Sequence, residues 1–237
     1  MGNGQKQAVR LSPGGRLRVI EGYAIIREAA HEAADAAETA LAGLREGRIQ
    51  GEETFTDRMI GAIEERFRNL RTKGVSWSAL TLTAHQRGAQ ETEFGADFMG
   101  VLQIDLPDFS VRKGFLAQAK LMEPGQYVAP QDHDRLTKQC ERMLAHTPDS
   151  FVFLYGRAGI CVVPAVSVVG LNRVLNPHAL YKRRISRFFE EHFESFIGDR
   201  RIFAPDIRSL KKLQEQMAVR CVLLLKGGAD GIPQETD

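Results

Sequence analysis

Cysteine is scarce: the chain has three in 237 residues, Cys140, Cys161 and Cys221. They are odd in number and far apart, which excludes a disulfide framework and a paired-cysteine zinc spacing. A reducing, cytoplasmic location is therefore expected. Long apolar runs are missing as well. No stretch reaches the roughly 18 residues that a membrane helix needs, so no membrane partner is expected. The opening MGNGQKQAVRLSPGG has no apolar segment of the kind a secretory signal carries, and Lys6 stands where an acylation signal following Gly2 needs Ser or Thr. The phosphate loops GxxxxGKS and GxxxxGKT do not occur, nor do GxSxG, HExxH or GxGxxG. These absences exclude an ATP motor, a serine-hydrolase elbow, a zincin and a dinucleotide fold.

What is present is ordinary for a globular protein: 43% hydrophobic and 26% charged residues. The length suits one domain with additions, or two small ones. Net charge is only +2, but it is unevenly spread. Residues 171–220 hold 11 Lys and Arg against 6 Asp and Glu, while residues 1–170 hold 20 against 21. A phosphate-binding surface needs such a concentration of positive charge. A solvated helix face would produce the same pattern, and both readings stand.

Residues 16–45 read as one long alanine-rich helix with a narrow stripe of Val19, Tyr23, Ile26, Ala30, Ala33 and Ala37. Packing on the rest of the chain or on a second copy would equally explain it. A second helix is expected from 52 to about 71, with Phe55, Met59, Ile63, Phe67 and Leu70 inward and Thr54 or Thr56 as cap. Residues 77–84 alternate as a strand. A helix follows at 132–146, capped by Asp132, with Leu136, Cys140 and Met143 inward. His133 and His146 have no second ligand at metal spacing and read as surface residues. Residues 150–155 and 159–164 form a strand pair or one bent strand. Residues 181–197 read as an amphipathic helix whose Phe188, Phe189, Phe193 and Phe196 oppose Lys182, Arg183, Arg184 and Arg187. A basic helix after Pro205 and a strand at 219–226 complete the chain.

The stretch richest in chemistry lies between. Glu91, Glu93, Gly95 and Asp97 lead into a strand at 98–104, a polar turn at 105–112, and a second strand at 115–122. Alternation puts Leu116, Gln118, Lys120 and Met122 on one face and Phe115, Ala117, Ala119 and Leu121 on the other. A lysine and a glutamine inside an apolar strand need polar company. Asp97, at the start of the neighbouring strand, is the natural partner, so Asp97, Gln118 and Lys120 converge.

Asp97, the hairpin, and Gln118-Ala119-Lys120 together resemble the PD-(D/E)XK nuclease superfamily, and within it the Mrr-like restriction endonuclease branch. The likeness covers about residues 50–170. It departs at Gln118, where most members carry Asp or Glu. The resemblance implies an α/β fold with a restriction-endonuclease-like αβββαβ core and a mixed central sheet. To this core the long N-terminal helix and a C-terminal α/β addition are joined. The expected division is 1–50, tail and alanine-rich helix; 51–170, nuclease-like core; and 171–237, a basic extension packed on the core. The implied activity is Mg²⁺- or Mn²⁺-dependent endonuclease cleavage of DNA in restriction or antiviral defence. Asp97 and Gln118 hold the metal, completed by Glu93 or Glu91 in the loop or by Glu53 on the preceding helix. Lys120 stabilises charge, and Gln139 on the following helix points back at the site. Glu53 and Asp57 also suit the helix dipole without any such role. Arg183, Arg184 and Arg187 would contact DNA phosphates. An alternative from another class is a weakly active or inactive nuclease-like assembly subunit, with the alanine-rich and Phe-rich helices as surfaces for a partner protein or a second copy.

Overall fold

Two apolar stripes of helical period and a set of strands buried on both faces require helices on either side of a sheet. The computed structural model shows that arrangement; it describes residues 13–84, 96–170 and 176–229, with side chains in the first helix from residue 22 onward. Helices α1 (Pro13–Thr39), α2 (Leu41–Arg45) and α3 (Glu52–Phe67) precede strands β1 (Arg71–Thr72), β2 (Val75–Thr83), β3 (Ala96–Leu106) and β4 (Phe109–Leu121). Then come α4 (Pro130–His146), β5 (Ser150–Gly156), β6 (Gly159–Pro164), α5 (Ala165–Gly170), β7 (Arg183–Arg184), α6 (Ile185–Phe193), α7 (Ile207–Gln216) and β8 (Val219–Ala229).

The strands form one mixed sheet of eight in the order β1-β2-β8-β3-β4-β5-β6-β7. Pairing is parallel between β3 and β8 and between β4 and β5, and antiparallel elsewhere. Helices α1, α3 and α6 cover one face with Ile26, Ala30, Ala33, Phe55, Met59, Phe188 and Phe193. Helices α4, α5 and α7 cover the other with Leu136, Cys140, Met143, Val168 and Leu210.

The chain is thus α/β, with several differences from expectation. The C-terminal segment is no addition: β8 lies inside the sheet between β2 and β3. Its run Cys221–Leu225 is buried on both faces, which suits a central position and not an edge. The hairpin strands are longer than the composition suggested and leave only Pro107 and Asp108 between them. Helix α3 is capped by the extended backbone of Gly51, not by a threonine; Thr56 instead bonds back to the Glu52 carbonyl. Helix α4 begins at Pro130 after Ala129, with Asp132 in its first turn. His133 is buried rather than on the surface.

The alanine stripe of α1 packs on α3 and α6 of its own chain, closed by Arg27–Glu194 at 2.5 Å and Arg66–Glu32 at 2.5 Å. Phe188, Phe189 and Phe193 are buried in the same layer. Most of both surfaces considered for a partner or a second copy is therefore covered within the chain; Tyr23 and Phe196 are exposed.

Candidate active site

One end of the sheet gathers the start of β3, the end of β4, the start of β8 and the N-termini of α3 and α4. The register pairs Phe98 with Ala117, so Asp97 stands opposite Gln118. Oδ2 of Asp97 accepts from the Ala119 backbone N–H at 2.7 Å and from Gln118 Nε2 at 2.5 Å. Lys120 Nζ donates to Glu52 Oε2 at 3.0 Å, and the Leu121 N–H donates to Glu52 Oε1 at 3.2 Å. Asp97, Gln118 and Lys120 are thus brought to one place, with Glu52 as the second carboxylate.

Glu53 does not take that position. It follows Glu52 by one residue, about 100° around the helix, and its field is felt at Arg220. Glu52 shares its helical stripe with Phe55, Thr56, Met59 and Ile63, all buried, and that spacing was the signal for it. Glu91 and Glu93 lie outside the described residues. Gln139 sits half-buried on α4 with its amide oxygen buried and unpartnered; no hydrogen bond joins it to Asp97, Gln118 or Lys120.

Arg220 is a residue that sequence reasoning missed. It opens β8 beside β3, where Ala96 pairs with Val219 and Phe98 with Cys221. Its Nη1 donates to Asp57 at 2.7 Å, while Nε and Nη2 are buried without a partner. More than 120 residues separate Arg220 from Asp97 in the chain, and only the sheet order reveals them as neighbours.

Burial pushes the Asp97 carboxyl up to about 6. The Ala119 N–H, Lys120 and Arg220 pull it back down, and Glu52 pushes it further up. Behind it the Tyr155 hydroxyl is held far above its usual range by burial and bonds to Thr56 at 3.1 Å.

The donor set is all oxygen, as Mg²⁺ or Mn²⁺ prefers. The Gln118 amide must turn its nitrogen to Asp97, since Oδ2 accepts only. Its Oε1 is left buried with no partner, which suits a cation there. Asp97 Oδ1 and Gln118 Oε1 are the atoms that would hold the ion, with Glu52 next to them. Among the described residues no three His, Cys, Asp or Glu side chains gather at one point, so the site is lightly charged and a bound ion would keep several waters.

Arg183, Arg184 and Arg187 are not brought here. Arg183 and Arg184 form the edge strand β7, so residues 181–197 are not one helix. Arg183 is paired with Glu191 at 2.5 Å and lies over the Tyr181 ring at 5.0 Å. Arg187 is paired with Glu190 at 3.1 Å and Glu191 at 2.9 Å, and Arg184 is exposed. No helix among the described residues is long and apolar enough to cross a membrane. Comparison of the chain with protein-family models, with curated proteins and with solved structures gives no match.

Proposed function

We propose that this end of the sheet hydrolyses phosphodiester bonds in DNA with Mg²⁺ or Mn²⁺, on a restriction-endonuclease-like core. One observation carries the reading. A half-buried acid and an amide with an orphaned oxygen are bonded across adjacent strands, and a lysine two residues beyond the amide lines a cleft. An acid kept at about 6 by burial is costly to fold around, and such groups cluster where chemistry is done.

Each residue has a distinct part. Asp97 and Gln118 would hold the ion, which when bound lowers the pKa of a water ligand and neutralises phosphate charge. The Lys120 ammonium, anchored by Glu52, faces the cleft and offsets charge on the non-bridging phosphate oxygens as water attacks phosphorus and the P–O bond to the leaving oxygen breaks. Glu52 fixes where that ammonium points and links it to the backbone of β4. Arg220, with two unbonded guanidinium nitrogens, adds positive potential beside Asp97. The assembly-subunit reading has less surface to draw on, because Ala30, Ala33, Phe188 and Phe193 are buried within the chain, while Tyr23 and Phe196 stay exposed.

The test is cleavage of a labelled DNA with Mg²⁺, Mn²⁺ or EDTA by three proteins. Wild type should cut only with metal. Glu52→Gln should slow cleavage by about 10²-fold, the effect of losing one orienting group, while Glu53→Gln should stay within about twofold, as surface changes do. Equal loss in the two variants would mean that the acid near Lys120 has no special place. No cleavage by wild type on any DNA would remove the nuclease reading.

A further inference from the structure

The open space beside Lys120 is a cleft of about 600 Å³, whose lining includes Glu52, Lys120, Gln126, Tyr127, Asp132 and Arg135. That volume suits one small-molecule-sized group, whereas a DNA duplex would need a broad basic surface to grip its backbone. The cleft's own lining sets Lys120 and Arg135 against Glu52 and Asp132 and is not a basic surface. Arg183 and Arg187 are tied to Glu190 and Glu191 on the far edge of the sheet, and Asp132 faces Arg135 and Lys120 with opposite charge inside the cleft itself.

The rim carries what an unpaired strand needs instead. Tyr127 is 75% exposed, as open as any aromatic ring in the described residues. Its loop is not loose. Gln126 accepts from the Glu123 N–H at 2.8 Å and donates its own N–H to the Glu123 carbonyl at 3.1 Å. The Glu123 carboxylate in turn accepts from the Arg157 N–H at 2.8 Å. Gly125 at φ +87 supplies the left-handed turn that this closure requires. A ring held out on a fixed turn beside a lysine is a stacking platform, and every base offers a face to stack on it. Arg135 stands exposed one turn into α4, with no ion pair among the described residues, within the same cleft.

We infer that the cleft takes one unstacked nucleotide next to the scissile phosphate, with Tyr127 under its base and Arg135 on a flanking phosphate, so that the preferred substrate is single-stranded DNA or an unpaired strand end. This rests on the nuclease reading for the position of the scissile phosphate, but its test uses binding alone.

Fluorescence anisotropy in EDTA would compare a short single-stranded oligonucleotide with the matching blunt duplex. Wild type should prefer the single strand. Tyr127→Ala should weaken that binding by about tenfold, the share of one stacked base, and Tyr127→Phe should retain it. Arg135→Gln should reduce the salt slope by about 0.7, one phosphate contact on a single strand. Tighter duplex binding by wild type, or unchanged single-strand affinity in Tyr127→Ala, would overturn the inference and leave the nuclease reading intact. Stacking-dependent binding by a protein that cuts nothing with metal would support the subsite and overturn the nuclease reading instead.

Discussion

Asp97→Asn should make the protein more stable and catalytically dead. The rise of the carboxyl from 3.8 to about 6 means that the folded state resists its ionisation. At neutral pH this corresponds to about 3 kcal/mol of lost stability. The sign follows from proton binding. Well below pH 3.8 the acid is protonated in folded and unfolded chains alike, and it contributes no difference. Between 3.8 and about 6 the unfolded chain ionises first, so wild-type stability falls with rising pH; above 6 the full cost remains. Asparagine keeps the shape, and its oxygen can still accept from the Ala119 N–H and the Gln118 amide. Thermal melts should therefore show Asp97→Asn gaining over wild type as pH rises from about 4 to 6 and holding that gain above. Cleavage should drop on the order of 10³-fold, as when a charge-stabilising group is lost, and wild-type cleavage should rise through about pH 6 as the acid ionises. A variant that is less stable at neutral pH, or that cuts as fast as wild type, would show that burial of Asp97 does not serve the site.

Lys113→Met should stabilise the protein by a larger amount, with the opposite pH profile. Lys113 is 1% exposed on β4, on the apolar face between Val111 and Phe115, and its Nζ has no partner. Burial lowers it to about 7; Asp149 opposes that shift and Arg200 reinforces it. Its stem presses on Gly198, where a Cβ would stand 2.8 Å from Lys113 Cδ and φ is +118. The neighbouring His192 is held down to about 3, by burial first and by Lys113 second. A lysine lowered from 10.5 to about 7 costs about 5 kcal/mol below pH 7, where both states are charged. Between 7 and 10.5 the unfolded chain alone holds the proton, so wild-type stability climbs with pH. The advantage of Lys113→Met should then be greatest near pH 6 and shrink toward pH 10 in chemical denaturation. An advantage that does not change with pH would assign the effect to packing, and a loss of stability would mean that the lysine has a partner in solution.

Local pattern made the hairpin legible. Alternation along β4 put Gln118 and Lys120 on one face, and a polar pair on an apolar strand pointed to Asp97. It also carries a second signal, since Lys113 interrupts the stripe Val111, Phe115, Ala117, Ala119; a turn extending through Arg112 hides it, because the strand then begins only after Lys113. Strand order was not legible. Nothing local places β8 between β2 and β3, because pairing across more than 100 residues is decided by which apolar runs can be buried on both faces. Arg220 therefore stayed hidden beside Asp97. The basic stretch at 182–187 misled for a related reason: its arginines looked free along an idealised helix, but the chain stays extended through Arg184, and Glu190 and Glu191 take Arg183 and Arg187 into ion pairs.

Crystals of wild type and of Asp97→Asn grown with Mn²⁺ test the central claim most directly, because anomalous scattering locates the ion without relying on turnover. Wild type should show manganese bound by Asp97 Oδ1 and Gln118 Oε1, at oxygen distances of about 2.2 Å, and Asp97→Asn should show none. Manganese bound elsewhere in wild type, or equal density in the two proteins, would contradict the assignment of this end of the sheet as a metal-dependent hydrolytic site.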